Sequence, residues 1–290
     1  MAAVLQRRRG LLPYLLLAPG LAWLLVFFAI PLYYIARISL ETGTIDTGYR
    51  FTWHFQTYTD ALSNYDTQLV RSFVYAGVAT GIAFLIGYPL AYAIAFRGGK
   101  WKNALLFLVI VPFFVTYLIR TLSWETILED DGIVVGVLQS IGVIGDNGRV
   151  LATTGAVIAG ITYNFLPFMI LPLYASLERI DHRMLEAGYD LYGTRRAVFT
   201  RVTLPLSAPG IVAGALLTFI PAAGDFINAE LLGTPRQAMI GNVIQSRYLE
   251  LTDYPTAAAL SLVLMAAILV VVLAWAKLAG TESLMGAESR

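Results

Sequence analysis

The chain has 290 residues, of which 58% are hydrophobic and only 13% charged, with a formal net charge of +1. Soluble domains carry about a quarter of charged residues, so this composition, with a mean hydropathy of +0.69, excludes an ordinary water-soluble fold and indicates an integral membrane protein. Cysteine is absent and only His54 and His182 supply imidazole, which excludes disulfides and thiol catalysis, and no metal site is expected.

In chain order, Arg7, Arg8 and Arg9 precede an uncharged first span at 10–36. It is too long for the apolar core of a signal peptide and is read as a permanent anchor, with Pro13, Pro19 and Pro31 bending it. Residues 37–71 are expected to be an external loop with short amphipathic pieces. A second span follows at 72–96, where Gly77, Gly81 and Gly87 lie near one stripe with Ala83 and Ala91, a pattern suited to close helix packing in lipid. A basic turn from Arg97 to Lys102 leads to a short third span, 104–119, kinked at Pro112, and then to a group of charges: Arg120, Glu125, Glu129, Asp130 and Asp131. The apolar stretch 133–145 is too short to cross and is expected to be interfacial or re-entrant. The fourth span, 151–177, is interrupted by Pro167 and Pro172. The fifth, 207–232, carries a break at Pro221-Ala222-Ala223-Gly224. After an outer loop at 233–253 comes a sixth span at 254–276, and a small, polar tail is expected to be mobile. The fold class is thus an all-α membrane protein with six transmembrane helices, forming a single domain over 1–290.

Between spans four and five, residues 185–205 (LEAGYDLYGTRRAVFTRVTLP) read as two short helices. Gly193 suits the left-handed residue that ends the first, and Thr194 is an N-cap for the second. Pro205 closes the second helix or bends it into span five. Glu186, Ala187 and Gly188 leave a small patch on which a partner can approach, while Arg195, Arg196 and Arg201 make a basic face that serves either docking or simple positive-inside anchoring.

With the N-terminus inside, 13 of the 20 Lys and Arg fall on the inner side, as the positive-inside rule requires. Both termini and the paired helices are then cytoplasmic. Of the 19 Asp and Glu, 13 lie outside. This external excess is either ordinary loop solvation or a field that concentrates a cation at the outer mouth.

Within the membrane, Asp225 and Asn228 share a helical face while Glu230 lies on another. An ionisable residue there marks a pathway and is expected at a water-filled cavity, lined in part by carbonyls freed at the break. The alternative is a carboxylate that caps the broken helix or pairs with an arginine. Trp124 and Glu125 combine an aromatic with a carboxylate, as an alkylammonium ligand requires, although Trp at that depth is also the usual interface anchor. Tyr163 and Asn164 are polar enough to face a cavity.

The glutamate-alanine pair at Glu186-Ala187, Gly193 seven positions after the glutamate, and Leu204-Pro205 resemble the EAA signature of permease subunits of ABC importers; Gly188 departs from its third alanine. Further stretches resemble the B-type permease of spermidine/putrescine importers: Val111-Pro112-Phe113-Phe114 to Arg120, Leu166-Pro167-Phe168-Met169 with Pro172-Leu173-Tyr174, Pro209-Gly210-Ile211, Gly224-Asp225-Phe226 to Gly233, and Ile240-Gly241-Asn242-Val243-Ile244. The resemblance implies the type I ABC importer permease fold in a bacterial plasma membrane. It also implies a C-type permease as second subunit, two ATPase subunits and an external substrate-binding protein. Glu186, Ala187, Gly188, Gly193, Leu204 and Pro205 would couple to the ATPase. Asp225, Asn228, Glu230, Trp124, Glu125 and Tyr163 are pathway candidates. The chain has no G-x-x-x-x-G-K-[ST] loop, so ATP and Mg are expected on the partner, with no cofactor in this chain, no nucleic-acid partner and no enzymatic site. Other readings are a same-family importer of ferric iron, thiamine or a phosphonate, or an ion-coupled carrier or channel using Asp225 and Glu230.

Overall fold

The structure is a computed structural model that describes residues 12–142, 144–145 and 148–278; the expected mobile tail and the start of the first span lie outside these. The chain falls into two compact units, 1–64 with 244–263, and 65–243 with 264–290.

In the first unit, α1 (Leu12–Leu24) runs through a π-helical turn into α2 (Ile30–Ile38). Strands β1 (Glu41–Thr42) and β2 (Arg50–Phe51) pair antiparallel, Glu41 opposite Phe51. The loop that follows β1 is tied down by Tyr49, whose hydroxyl donates to the Thr252 carbonyl and whose ring lies 5.3 Å from that of Tyr254.

Helix α3 (Gln56–Arg97) covers 42 residues as two helices joined across a kink at Tyr65; its first piece is one of the short elements expected within the loop over 37–71, and its second starts ahead of the expected span at 72. Tyr58, Ala61 and Leu62 recur at helical spacing ahead of the kink, and Asp60 among them obscures this short helix in the sequence.

The third span is also corrected. Helix α4 (Lys102–Ile110) tightens into a 3₁₀ turn at Val111–Phe114, and Val115 and Thr116 are extended. The chain then turns by 93° into α5 (Tyr117–Leu128) and α6 (Ile133–Ser140). The chain is thus bent more sharply than a kink at Pro112 alone, by that turn and the extended pair together. Arg120, expected in an outer charge cluster, is buried on α5.

The fourth span, α7 (Thr154–Glu178), is a single uninterrupted helix despite Pro167 and Pro172, contrary to the expected breaks; neighbouring helices and small local adjustments accommodate proline in membrane helices. Thr153 caps it, accepting from the Ala156 N–H at 3.2 Å. The paired helices follow as α8 (His182–Tyr192) and α9 (Arg195–Val198), with a π-helical turn leading into α10 (Leu204–Leu206). A 61° bend separates these from α11 (Ala208–Ala223), and Gly224 breaks the fifth span before α12 (Ile227–Leu232). Helices α13 (Ile240–Gln245) and α14 (Tyr254–Leu278) complete the fold. The expected outer loop at 233–253 is thus partly helical.

Among the described residues, four helices are long and apolar enough to cross a membrane, or up to six if each bent pair counts as one span. In the second unit α7 packs along α11, and α3 covers both. Two apolar clusters form there, one around Ala76, Val157, Ile161, Ala222 and Leu232, the other around Ala83, Met169, Leu173, Leu177 and Ala215. The packing stripe of α3 is its alanines with Gly87. Gly77 and Gly81, expected in that stripe, face a cleft of about 410 Å³ lined also by Phe84, Phe219 and Trp275.

Candidate functional site

Two places gather the polar residues of the second unit. The first is the paired-helix segment. Asp181 caps α8 by accepting from the Arg183 N–H at 2.9 Å, so this helix starts three residues before Leu185. Gly193 has φ +68° and donates its N–H to the Tyr189 carbonyl at 2.8 Å; Thr194 then caps α9 by accepting from the Ala197 N–H at 3.2 Å. The local turn chemistry is as its residues dictate.

Glu186 and Ala187 are exposed, but Gly188 is buried. A Cβ on it would lie 3.2 Å from Val202 and 3.4 Å from Val198. Its small size therefore serves the contact between the two short helices, not the approach of a partner, which corrects the expected role. Arg201 lies over the Tyr192 ring at 5.0 Å and ties the same two helices together, so only Arg195 and Arg196 remain as a free basic face. Leu204 is half-buried and Pro205 exposed at the foot of the segment, and the bend falls at Ser207 instead of at Pro205.

The segment is fastened to the membrane helices. Phe199 packs edge-on against Tyr88 and Tyr92 of α3, with ring centroids 5.8 and 6.1 Å away. The Tyr88 hydroxyl bonds Ser207 Oγ at 2.9 Å, at the bend itself. His182 meets Phe96 at 5.9 Å, and Lys102 pairs with Glu178 at 2.7 Å. These contacts join the segment to α3 and to the bend ahead of α11, and the Lys102–Glu178 pair joins α4 to the end of α7 just before it.

The second place is the break in the fifth span. Pro221 and Gly224 end α11, and α12 restarts three residues later. Asp225 is 6% exposed. Its Oδ1 accepts from the Tyr117 hydroxyl at 2.8 Å, and its Oδ2 accepts from Asn228 Nδ2 at 2.8 Å and the Asn228 N–H at 3.3 Å. Asn228 Nδ2 also donates to the Tyr117 hydroxyl at 2.5 Å, and Asn164 Nδ2 reaches both Asn228 Oδ1 and Thr121 Oγ1 at 3.1 Å. The network joins α5, α7 and α12.

Asp225 is therefore closed off, which corrects the expected place at a water-filled cavity; it matches the alternative of a carboxyl that caps the broken helix, accepting three hydrogen bonds at the start of α12. The carbonyl of Phe226 is likewise taken, by Asn242 Nδ2 at 2.9 Å. Glu230 is exposed on another face, outside the network. Trp124 and Tyr163 come together, with ring centroids 5.2 Å apart, and Glu125 beside them is half-buried. Among the described residues no group of three or more His, Cys, Asp or Glu is placed to hold a metal.

Tyr117, Thr121 and Arg120 were not singled out from the sequence as members of this site. The signal is there, since Tyr117, Arg120, Thr121 and Trp124 recur at helical spacing, but it emerges only once α5 is known to start after the break. Arg120 is 8% exposed, its guanidinium 5.0 Å from the Phe113 ring centroid and 5.7 Å from that of Tyr117. Its Nε and Nη1 are buried without a hydrogen-bond acceptor. An unmatched buried donor costs about 1–3 kcal/mol, more when charged.

This architecture, apolar spans with a polar break in the core and a helical pair joined to the membrane helices, is that of a membrane permease. The fold agrees. The chain superimposes on a chain of a bacterial ABC transporter involved in the import of the polysaccharide alginate, with a TM-score of 0.70 at 21% identity, covering 96% of this chain and 98% of that one. A chain of the MetNI methionine ABC transporter matches with a TM-score of 0.57 at 16% identity, over 73% and 93%.

The family model for the binding-protein-dependent transport system inner membrane component matches residues 83–279. The spermidine/putrescine transport system permease protein PotB of Haemophilus influenzae is 39% identical over 242 residues, 83% of this chain and 85% of that protein. PotB of Escherichia coli K12 is 37% identical over 243 residues, 83% and 88%. The chain belongs to the binding-protein-dependent transport system inner membrane component family: it is a multi-pass inner-membrane permease subunit of an ABC importer.

Proposed function

We propose that the cargo of this permease is a polyamine, of the spermidine or putrescine type. The observation that carries this reading is the 37–39% identity to permeases named for spermidine and putrescine transport, sustained over 83% of the chain. The Trp124–Tyr163 aromatic pair beside Glu125 adds a surface of suitable chemistry for an alkylammonium chain.

In this reading the chain pairs with a second, C-type permease subunit, two ATPase subunits and an external substrate-binding protein, and both termini are cytoplasmic. ATP is hydrolysed on the partner, and this chain is not itself an enzyme and holds no cofactor. Closure of the ATPase pair pulls on α8 through the exposed Glu186 and Ala187. Gly193 and Gly188 keep the two short helices in a fixed relation, and the anchors at Tyr88, Phe199 and Lys102 pass the motion on. Leu204 and Pro205 form the foot of the lever. Movement of spans three to five then alternates access to the pathway, with Asp225 and Asn228 at its polar break.

The test is to purify the chain with its co-expressed neighbours, reconstitute the complex and measure ATP hydrolysis with a loaded binding protein. Stimulation by spermidine or putrescine, and not by ferric iron, thiamine or a phosphonate, is the expected result. Stimulation by one of the latter instead refutes the polyamine reading. Transport of polyamine by the chain without any ATPase subunit refutes the coupling.

A further inference from the structure

Arg120 is a buried charge with unmatched donors. A buried arginine placed for stability has its N–H groups matched by carboxylates or carbonyls, yet here Nε and Nη1 meet none. What the guanidinium does meet is aromatic: Phe113 at 5.0 Å and Tyr117 at 5.7 Å. These rings continue into two more, Phe113 to Phe168 at 5.1 Å and Tyr117 to Phe165 at 5.9 Å. A carboxyl group lies behind one of these rings: the Tyr117 hydroxyl donates to Asp225 at 2.8 Å. Aromatic faces with a counter-charge behind them are what holds an alkylammonium cation, and a planar fork of five donors is poorly served by them.

We infer that the aromatic pocket of Phe113, Tyr117, Phe165 and Phe168 is a binding site for an ammonium group of the transported cation, with Arg120 as its tethered occupant in this state. The inference rests on the polyamine reading and names the site that reading lacks. Its geometry allows exchange. Phe113 and Phe168 remain 37% and 36% exposed on this chain, so no helix has to unfold to uncover the rings. Phe113 sits on the 3₁₀ turn and Arg120 on α5, on opposite sides of the 93° break at Val115 and Thr116. A change in that angle separates the guanidinium from Phe113. Between transport events the arginine occupies the site and repels other cations, as a fixed positive charge in a pore does; when the break opens, cargo and arginine change places.

The experiment uses the assembled transporter in lipid nanodiscs, without binding protein or nucleotide, and equilibrium binding of radiolabelled spermidine. Arg120→Gln is expected to tighten binding by about ten-fold over wild type, the order of a desolvated cation–π contact changing hands. Adding Phe113→Leu to that variant removes the gain, and N-ethylguanidinium competes with the bound spermidine. An assembled Arg120→Gln complex that binds no more tightly than wild type overturns the inference, and so does a gain indifferent to Phe113→Leu. If Arg120→Gln fails to assemble, uptake through the binding protein decides. Phe113→Leu is expected to raise the apparent KM several-fold and Phe113→Trp to leave it near wild type, and equal KM values for the two overturn the inference. Wild-type uptake of spermidine, measured alongside, separates the two claims. Its absence sinks the polyamine reading, whereas normal uptake with no gain in Arg120→Gln sinks only the site.

Discussion

Replacing Gly193 tests whether the angle between α8 and α9 carries the coupling. Its backbone sits at φ +68°, and a Cβ there would meet nothing within 4 Å. The cost of Gly193→Ala is therefore that of the left-handed backbone alone, about 1–2 kcal/mol. That shifts the balance between the formed and opened turn by roughly five- to thirty-fold. Gly193→Asn costs less, because asparagine tolerates this region. Gly193→Pro cannot reach the conformation, since its φ is held near about −65°, and it also removes the N–H that bonds Tyr189. Coupling, measured in proteoliposomes as cargo imported per ATP hydrolysed, should fall in the order glycine, asparagine, alanine, proline, with hydrolysis persisting in the last. Normal coupling in the proline variant, or alanine more harmful than proline, refutes the reasoning.

Asp225→Asn keeps the shape of the polar break but removes its charge; we expect assembly near normal and a several-fold loss of transport, read as uptake per unit of assembled complex. Tyr117→Phe instead leaves Asp225 Oδ1 without its donor, and should lower the thermal stability of the complex by about 1–3 kcal/mol. Gly160→Ala drives a Cβ into Leu232 and Asn228 and should cost about 1–3 kcal/mol, whereas Gly77→Ala meets nothing within 4 Å and should be neutral or mildly stabilising; thermal melting of the two variants side by side checks this. Lys102→Glu should weaken the link between α4 and α7 by about 0.2–1 kcal/mol, the usual worth of an exposed ion pair, and Glu178→Lys in the same chain should restore it, an effect that fades at high salt.

The apolar spans, the capped helical pair and the break at Gly224 could all be read along the chain, because each depends on residues within a turn or two of one another. Gly193 and Thr194 mark a helix junction wherever they lie, and an uncharged run long enough to span lipid has few other uses. Local patterning failed where charge or proline outweighed it. Asp60 masks the short helix ahead of Tyr65, and Pro167 and Pro172 read as breaks along a chain that packing keeps as one helix.

Only the tertiary structure decided which polar residues meet. Tyr117, Asn164 and Asp225 are far apart in sequence and each is ambiguous alone; the 93° turn after Val115 and the close approach allowed by Gly160 bring them into one network. The same packing turned Gly188 inward, closed Asp225 off from solvent and laid Arg120 on aromatic rings. Burial and the pairing of distant side chains are properties of how helices cross, and no window along one helix contains the partner it will meet.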